Sequence, residues 1–459
     1  MHPMSQRNTL DMKQGSIFKK LFTFEIPLLF TLVGQNLYNA ADRVVVGHFA
    51  VNGEFSLAAI GSTSSLTALL INMSSGLASG LNVRCANLWG ANKKELLGRS
   101  MHTGMLLSAV IGVLLGLLGI VASTPMLRLL ETPEELIDLS SLYLQVYFLG
   151  LPANIIYNFG AAILRSFGDS KRPMYILTIT GLVNVLLNLF FVIVLKMDVA
   201  GVALATTIAQ VISAIWILWI LFTPKDAYQL SFKSLGFHKE SLQDIVKIGV
   251  PNSINGMLFS ISNLVIQASI NSFQDTTILA GKTAAIDIGA IICQVIAAFT
   301  TACLTFSAQC VGAKKYKRVD ELAVKTIFSC GAVMLFLSLL VTMFPSAPIR
   351  IFNDNPEVIK VGSRILLIMC WSYLIYMISD IFINCSRGFG RSLGVTIMNV
   401  IGMIVPRLIW VWFLFPMCRT IEFLFLCYPF SYIFSSAFQV VYYIRLRKKM
   451  DKQLSANIA

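Results

Sequence analysis

Long apolar runs recur from one end of this 459-residue chain to the other. A helix of about 20 apolar residues is long enough to cross the hydrocarbon core of a bilayer. Within lipid, a spanning backbone must satisfy its own hydrogen bonds, which a helix does. We therefore predict an all-α membrane protein with twelve transmembrane helices, near residues 22–47, 56–83, 100–122, 138–163, 174–195, 199–222, 246–271, 279–307, 321–345, 359–384, 394–416 and 420–444.

Composition and charge support this class. The chain is 56% hydrophobic and 13% charged, whereas soluble domains carry about 25% charged residues. The net charge of +13 would point to nucleic acid in a soluble protein, but here lysine and arginine concentrate in both tails and in every second loop. By the positive-inside rule both termini are cytoplasmic, and nucleic-acid binding is disfavoured. The nine cysteines form no C-x-x-C motif and the four histidines have no metal-ligand spacing, so no transition-metal site is expected.

An internal repeat divides the chain. The pattern R-x-F-G-x-S occurs at 165–170 and again 222 residues later, at 387–392, and a G-A motif at 90–91 matches 312–313. The offset covers six predicted helices, so both halves share one orientation, as in parallel transporter repeats. We predict a pseudo-two-fold pair of six-helix bundles, divided as a 1–21 tail, a 22–222 N-lobe, a 223–243 cytoplasmic linker, a 244–445 C-lobe and a 446–459 tail.

The first apolar run carries an acid, Asp42. Gln35, Tyr38, Asn39 and Asp42 share one helical face. An acid within the membrane is costly and usually functional. The alternative is an acid at the helix end, neutralised by the adjacent Arg43.

Two further acids, Asp287 and Asp380, fall within predicted spans, and Asn184 and Asn188 lie four residues apart on one face. In a low-dielectric cavity a carboxyl group can take up and release a proton, and carboxylates also bind hard cations together with amide oxygens. Both properties suit an ion-coupled antiporter. The structural alternatives are an Asp287–Lys282 pair and asparagines that only link helices.

Several motifs together resemble the multidrug and toxic compound extrusion (MATE) family: I-P followed by D-R-V-V-V-G-H-F in the first span, W-G-A-N at 89–92, R-x-F-G-D-S at 165–170 and V-A-G-V-A-L-A-T at 199–206. The resemblance extends over essentially the full chain. It implies a two-lobe transporter that exports cationic, amphipathic drugs in exchange for Na⁺ or H⁺, with no other cofactor.

The resemblance also implies site residues. Asp42, Asn184 and Thr206 match a cation site of the N-lobe, and Asp380 matches one of the C-lobe, so Na⁺ is expected at Asp42 or Asp380. Asn188 departs from the aspartate of some members. The expected substrate cavity comprises Gln35, Tyr38, Asn39, Tyr143, Tyr147, Asn158, Asn255, Asn263, Asp287, Tyr376 and Met377. Either Tyr143 or Tyr147 matches the tyrosine of the fourth helix, and the seventh helix lacks a family glutamate and offers Asn255 and Asn263 instead.

The predicted mechanism is alternating access by rocking of two lobes, in a monomer of the bacterial inner membrane. An exporter of an endogenous metabolite or a flippase for a lipid-linked precursor is the alternative within the same superfamily. A flippase would need a cavity rich in arginine, and only Arg364 and Arg407 are candidates. A membrane-embedded enzyme would need a catalytic constellation at one membrane face, and the sequence offers none.

Overall fold

A computed structural model describes residues 9–50, 53–130, 132–223, 229–273 and 275–456. These residues form twelve long helices, which confirms the predicted fold class. Their bounds are α1 Ile17–Phe49, α2 Gly53–Gly90, α3 Lys94–Leu129, α4 Glu134–Ser166, α5 Lys171–Val194, α6 Asp198–Phe222, α7 Lys239–Asn271, α8 Thr276–Gly312, α9 Tyr316–Met343, α10 Pro356–Gly388, α11 Ser392–Met417 and α12, which consists of Ile421–Phe425 and Cys427–Ala456.

Eleven of these helices, α2 to α12, are long and apolar enough to cross a membrane. The remaining long helix, α1, has 33 residues, and its polar positions lower its mean hydropathy. Several helices extend beyond the predicted spans, since α1 begins at Ile17 and α7 at Lys239 rather than at residues 22 and 246. A helix satisfies its own backbone outside the hydrocarbon core as well as inside it, so hydropathy marks the apolar part of each helix and not its ends.

The chain forms two compact units. The first, called the N unit here, contains residues 1–11 and 26–249, and the second, the C unit, contains residues 12–25 and 250–459. Helix α1 therefore contributes its first turns to the C unit and the rest to the N unit. These bounds differ from the predicted ones at residues 22 and 244.

Backbone conformation repeats along with the sequence. Gly168 and Gly390 have φ of 83° and 73°, and Asn92 and Lys314 have φ of 57° and 58°. Each pair is 222 residues apart. Positive φ is rare for residues other than glycine, so its recurrence at matched loop positions confirms that the two halves are built on one plan.

Two of the helices contain π-helical turns. In α5 the segment Phe190–Val194 is π-helical, and α11 contains two such segments, Val400–Ile404 and Trp410–Leu414. A π-turn inserts an extra residue, reorients the side chains around it and is frequent at functional sites.

Close helix packing in the N unit depends on glycine. A Cβ atom placed on Gly80 of α2 would lie 2.5 Å from the Ile245 carbonyl oxygen and 2.9 Å from the Gly249 Cα of α7. Small residues at such a position allow two helix backbones to approach closely.

Candidate ion and substrate sites

Asp42 lies in a polar cluster of the N unit. Its Oδ1 accepts a hydrogen bond from the Asn188 side-chain amide. The Asn184 amide, in the orientation that satisfies its neighbours, donates to the same Oδ1 at 3.0 Å and accepts from Thr206 Oγ1 at 3.3 Å. Helices α1, α5 and α6 thus bring together the four residues predicted for the N-lobe cation site.

One oxygen of this cluster is unused. Asn188 is completely buried, and its Oδ1 has no hydrogen-bond partner among the described residues. Leaving a buried acceptor unpaired costs about 1–3 kcal/mol. The cluster offers only oxygen ligands, from Asp42, Asn188, Asn184 and Thr206, and hard cations such as Na⁺ prefer oxygen. The residues therefore fit a Na⁺ ion, and the Asp42 carboxylate also fits a proton.

An apolar group borders the acid. Val45 and Val46 of α1 pack with Val192 of α5 and Val202 of α6, and Tyr143 of α4 lies against this cluster. Tyr143 also interacts electrostatically with Asp42. These contacts place apolar side chains beside the carboxylate, and a charge near apolar groups interacts more strongly with its neighbours than it does in water.

The two candidate tyrosines of α4 form a pair. The Tyr143 and Tyr147 rings are stacked, with centroids 6.3 Å apart and an angle of 18° between planes. Tyr147 is buried. Of the two, Tyr143 is the one that touches the valine cluster beside Asp42.

The other predicted residues of α1 have different surroundings. The Tyr38 hydroxyl donates to the Thr178 carbonyl at 3.3 Å, and its ring fills the space above Gly181 of α5. Gln35 is exposed. The Asn39 side chain lies outside the described part of the structure. Tyr38 therefore packs against α5, and among the side chains of this face that the structure describes, Asp42 is the one that joins the cluster with Asn184 and Asn188.

Asp380 of the C unit has other partners. The Asn384 amide donates to Asp380 Oδ1 at 3.3 Å and to its backbone carbonyl at 2.9 Å, and Arg387 interacts electrostatically with it. The residue at the same place in the other repeat is Asn158, whose amide bonds to Ser74 Oγ at 3.4 Å. The acid of the C unit thus has a nearby basic group.

The remaining candidates form inter-helix contacts in the C unit. Asn255 accepts from Asn399 at 2.8 Å, and Asn263 accepts from Arg407 at 3.3 Å. The Tyr376 ring packs on Tyr432 with centroids 4.9 Å apart.

Two candidates of the C unit are less polar or less tightly bound. Met377 is buried, with its Cε 3.0 Å from where a Cβ on Gly331 would be. Lys282 donates to Gln267 Oε1 and interacts with Asp287 electrostatically. The alternative of an Asp287–Lys282 pair is therefore not a direct salt bridge among the described residues.

Sequence reasoning missed Glu25. This residue is 3% exposed in the C unit, and neither carboxyl oxygen has a hydrogen-bond partner among the described residues. It lies close to Cys303 and Cys330. The sequence did contain a signal for Glu25, because this acid lies inside the predicted first span. A buried, unpaired acid is costly and is a candidate for binding a proton or a cation.

Comparisons with known proteins identify the family of the chain. The MatE family model matches the chain twice, at residues 27–190 and 251–412. The chain is 26% identical over 394 residues to the probable multidrug resistance protein YoeA of Bacillus subtilis, covering 84% of each. It is 22% identical over 450 residues to the multidrug export protein MepA of Staphylococcus saprophyticus, covering 96% of this chain and 97% of MepA. A FAD transporter of Shewanella oneidensis is 20% identical over 399 residues, covering 85% and 87%.

Solved structures show the same fold. The crystal structure of MATE in complex with MaL6 superimposes with a TM-score of 0.90 at 19% identity, covering 96% of this chain and 99% of that one. An outward-facing multidrug resistance MATE transporter of the MOP superfamily gives 0.88 at 19% identity, covering 97% of this chain and all of that one. The doubled match of the family model, which extends over most of the sequence, shows that the chain belongs to the MatE family of membrane transporters.

Proposed function

We propose that this protein is a multidrug efflux transporter that exports cationic, amphipathic compounds by antiport with Na⁺ or H⁺. The Asp42 cluster carries the proposal: a membrane-embedded carboxylate bonded by Asn184 and Asn188, with a buried, unpartnered oxygen beside it. Such a cluster binds a proton or a hard cation when its neighbours are fixed in place.

The coupling follows from competition. When the ion occupies Asp42 it cancels the charge that would attract a cationic compound. Binding of one therefore disfavours binding of the other, and this effect is reciprocal. Alternating access by rocking of the two lobes then exchanges ion for compound. We place the monomer in the bacterial inner membrane with both termini cytoplasmic.

The names of similar proteins support export of drugs. YoeA and MepA are named for multidrug resistance and export. The FAD transporter of Shewanella oneidensis favours the second candidate, export of an endogenous metabolite. A flippase for a lipid-linked precursor is the third.

The test is efflux of ethidium from cells or everted vesicles that contain this protein, under an imposed Na⁺ or proton gradient. We expect gradient-driven efflux by the wild type and its loss in Asp42→Asn, which keeps the shape of the side chain and removes its charge. Glu422→Gln is the matched control, because Glu422 lies outside the cluster and forms a salt bridge with Arg364. Full efflux by a membrane-inserted Asp42→Asn variant would exclude the proposed role of Asp42.

A further inference from the structure

Arg407 is a buried charge within a predicted membrane span. It lies in α11 between two π-helical segments and is 1% exposed. Three aromatic rings of the C unit surround its guanidinium, with centroids 4.7 Å away for Tyr428, 5.5 Å for Phe259 and 5.6 Å for Tyr432. Charged side chains inside a membrane usually pair with one another or mark a ligand pathway.

The guanidinium makes a single hydrogen bond. Its Nη1 donates to Asn263 Oδ1 at 3.3 Å, whereas Nε and Nη2 have no hydrogen-bond partner among the described residues. The Tyr432 hydroxyl is nearby but does not meet the geometry of a bond to Nε or Nη2. None of the ion pairs of the described chain involves Arg407.

The two unused donors belong to one edge of the group. The N–H of Nε and one N–H of Nη2 point in parallel, and this edge forms two-bond contacts with a carboxylate or a phosphate. The aromatic rings cover the rest of the guanidinium and Asn263 holds its opposite side. The edge formed by Nε and Nη2 is therefore the one on which both nitrogens lack a hydrogen-bond partner among the described residues, and it is the edge that binds an oxyanion.

The location in the fold agrees with a binding role. Arg407 and its partners come from α7, α11 and α12, which in the repeat correspond to α1, α5 and α6 of the Asp42 cluster. Tyr428 aligns with Thr206 at the offset of 222, and Asn263 aligns next to Asp42. The same three helices thus hold a carboxylate in one unit and a guanidinium in the other.

We propose that the free edge of Arg407 binds an oxyanion, a carboxylate or phosphate group, of the transported compound. This inference rests on the proposed efflux function and adds to its substrates a class of compounds that carry an acidic group beside an apolar or cationic body. The rings of Phe259, Tyr428 and Tyr432, called the aromatic cage here, bind the apolar body, and the Nε and Nη2 donors bind the acid.

The experiment uses two dyes that differ only at this group: the cationic methyl ester of a rhodamine and the free acid of the same rhodamine. Binding of each to the purified full-length protein in a nonionic detergent is measured by fluorescence anisotropy. We expect the wild type to bind the acid roughly tenfold more tightly than the ester, because charge-assisted double hydrogen bonds form only with the acid. Equal binding of both dyes by the wild type would overturn the proposal without any variant.

Variants assign the preference to Arg407. Arg407→Met removes the donors and should bind both dyes equally. Arg407→Lys keeps the charge but lacks the two-donor edge and should lose most of the preference. Arg364→Met, which changes the exposed arginine that pairs with Glu422, should behave as wild type. A preference for the acid that persists in folded Arg407→Met would show that the aromatic cage holds Arg407 for structural reasons only.

A lipid phosphate presents the same chemistry, so a third arm adds phosphatidylglycerol. If the oxyanion belongs to the transported compound, the preference for the acid dye persists in its presence. If phosphatidylglycerol abolishes that preference and its own binding requires Arg407, the edge belongs to a lipid and the substrate assignment is overturned. The Asp42→Asn variant should keep the dye preference while it loses efflux, so failure of the efflux proposal and failure of this inference are separately visible.

Discussion

The two units share a backbone plan but differ in chemistry at matched helices. In the N unit, α1, α5 and α6 surround Asp42 with carboxamides and a hydroxyl. In the C unit, α7, α11 and α12 surround Arg407 with aromatic rings and one carboxamide. Loops with positive φ recur at matched positions, whereas the charged group held by these helices is a carboxylate in one unit and a guanidinium in the other. The repeat therefore preserves the frame that the helices need and leaves the interior free to specialise.

The largest expected effect separates the acids of the two units. Asp42→Asn should reduce gradient-driven efflux at least tenfold, since a loss of about 1.4 kcal/mol or more in ion binding corresponds to that factor. Asp380→Asn should reduce efflux by less than about threefold, because Asn384 and Arg387 already compensate the charge of Asp380. A tenfold change in efflux would correspond to about 1.4 kcal/mol. Ethidium efflux from everted vesicles measures both. Equal losses would mean that the acids act as one system.

A second prediction concerns the unused oxygen of Asn188. Asn188→Leu removes this oxygen and the amide that donates a hydrogen bond to Asp42. The loss should cost about 1–3 kcal/mol of ion-binding free energy, so the ion concentration for half-maximal efflux should rise roughly tenfold. Asn255→Leu, which breaks the bond to Asn399 in the C unit, should lower the melting temperature without changing the ion requirement. Ion titrations of dye efflux and thermal unfolding in detergent distinguish the two variants. An unchanged ion requirement in Asn188→Leu would remove this residue from the ion site.

A smaller effect is expected for substitution of the two glycines that have positive φ at matched loops of the two units. Gly168→Ala and Gly390→Ala each place a side chain at positive φ, which costs about 1–2 kcal/mol. Gly168→Ala should cost more than that, because its Cβ would lie 2.6 Å from the Leu10 Cβ. Gly98→Ala is the control, since nothing lies within 4 Å of a Cβ at that helical position. Thermal unfolding of the purified variants provides the measurement, and melting temperatures equal to wild type at both loops would contradict the strained geometry.

The smallest effect belongs to a surface pair of the C unit. Arg364 Nη1 and Glu422 Oε1 are 2.9 Å apart, and the side chains are 55% and 37% exposed. Glu422→Gln should change stability by less than about 1 kcal/mol, as exposed ion pairs do. A large shift in melting temperature, or loss of efflux, would place this pair in the machinery and remove it as a control.

The sequence predicted the membrane class, the helix number and the repeat because long apolar runs and short loop motifs are local signals. It also identified Asp42, Asn184, Asn188 and Thr206, three of them on helix faces that a period of 3.6 residues reveals. In the structure the face of α1 that carries Asp42 meets the face of α5 that carries Asn188, and the two side chains are hydrogen-bonded. Whether these residues couple transport stays a prediction.

Other features were beyond sequence reasoning. The surroundings of Arg407 come from helices far apart in the chain, namely α7 and α12, so its unused edge is visible only after folding. Glu25 was overlooked because it lies near the start of an apolar run, where an acid reads as a helix-end residue, although the fold buries it. The π-turns have no hydropathy signal, since an extra residue in a turn leaves the composition unchanged.

One of these turns bears on how the two halves diverged. The π-turn at Val400–Ile404 in α11 corresponds to regular α-helix in α5, whereas the turn at Trp410–Leu414 overlaps the one at Phe190–Val194 when the offset is applied. The two halves therefore share one π-turn and differ in the other. Because each extra residue in a turn rotates all later side chains of the helix by about 100°, the additional π-turn changes which residues of α11 face the interior without any change in the repeat offset.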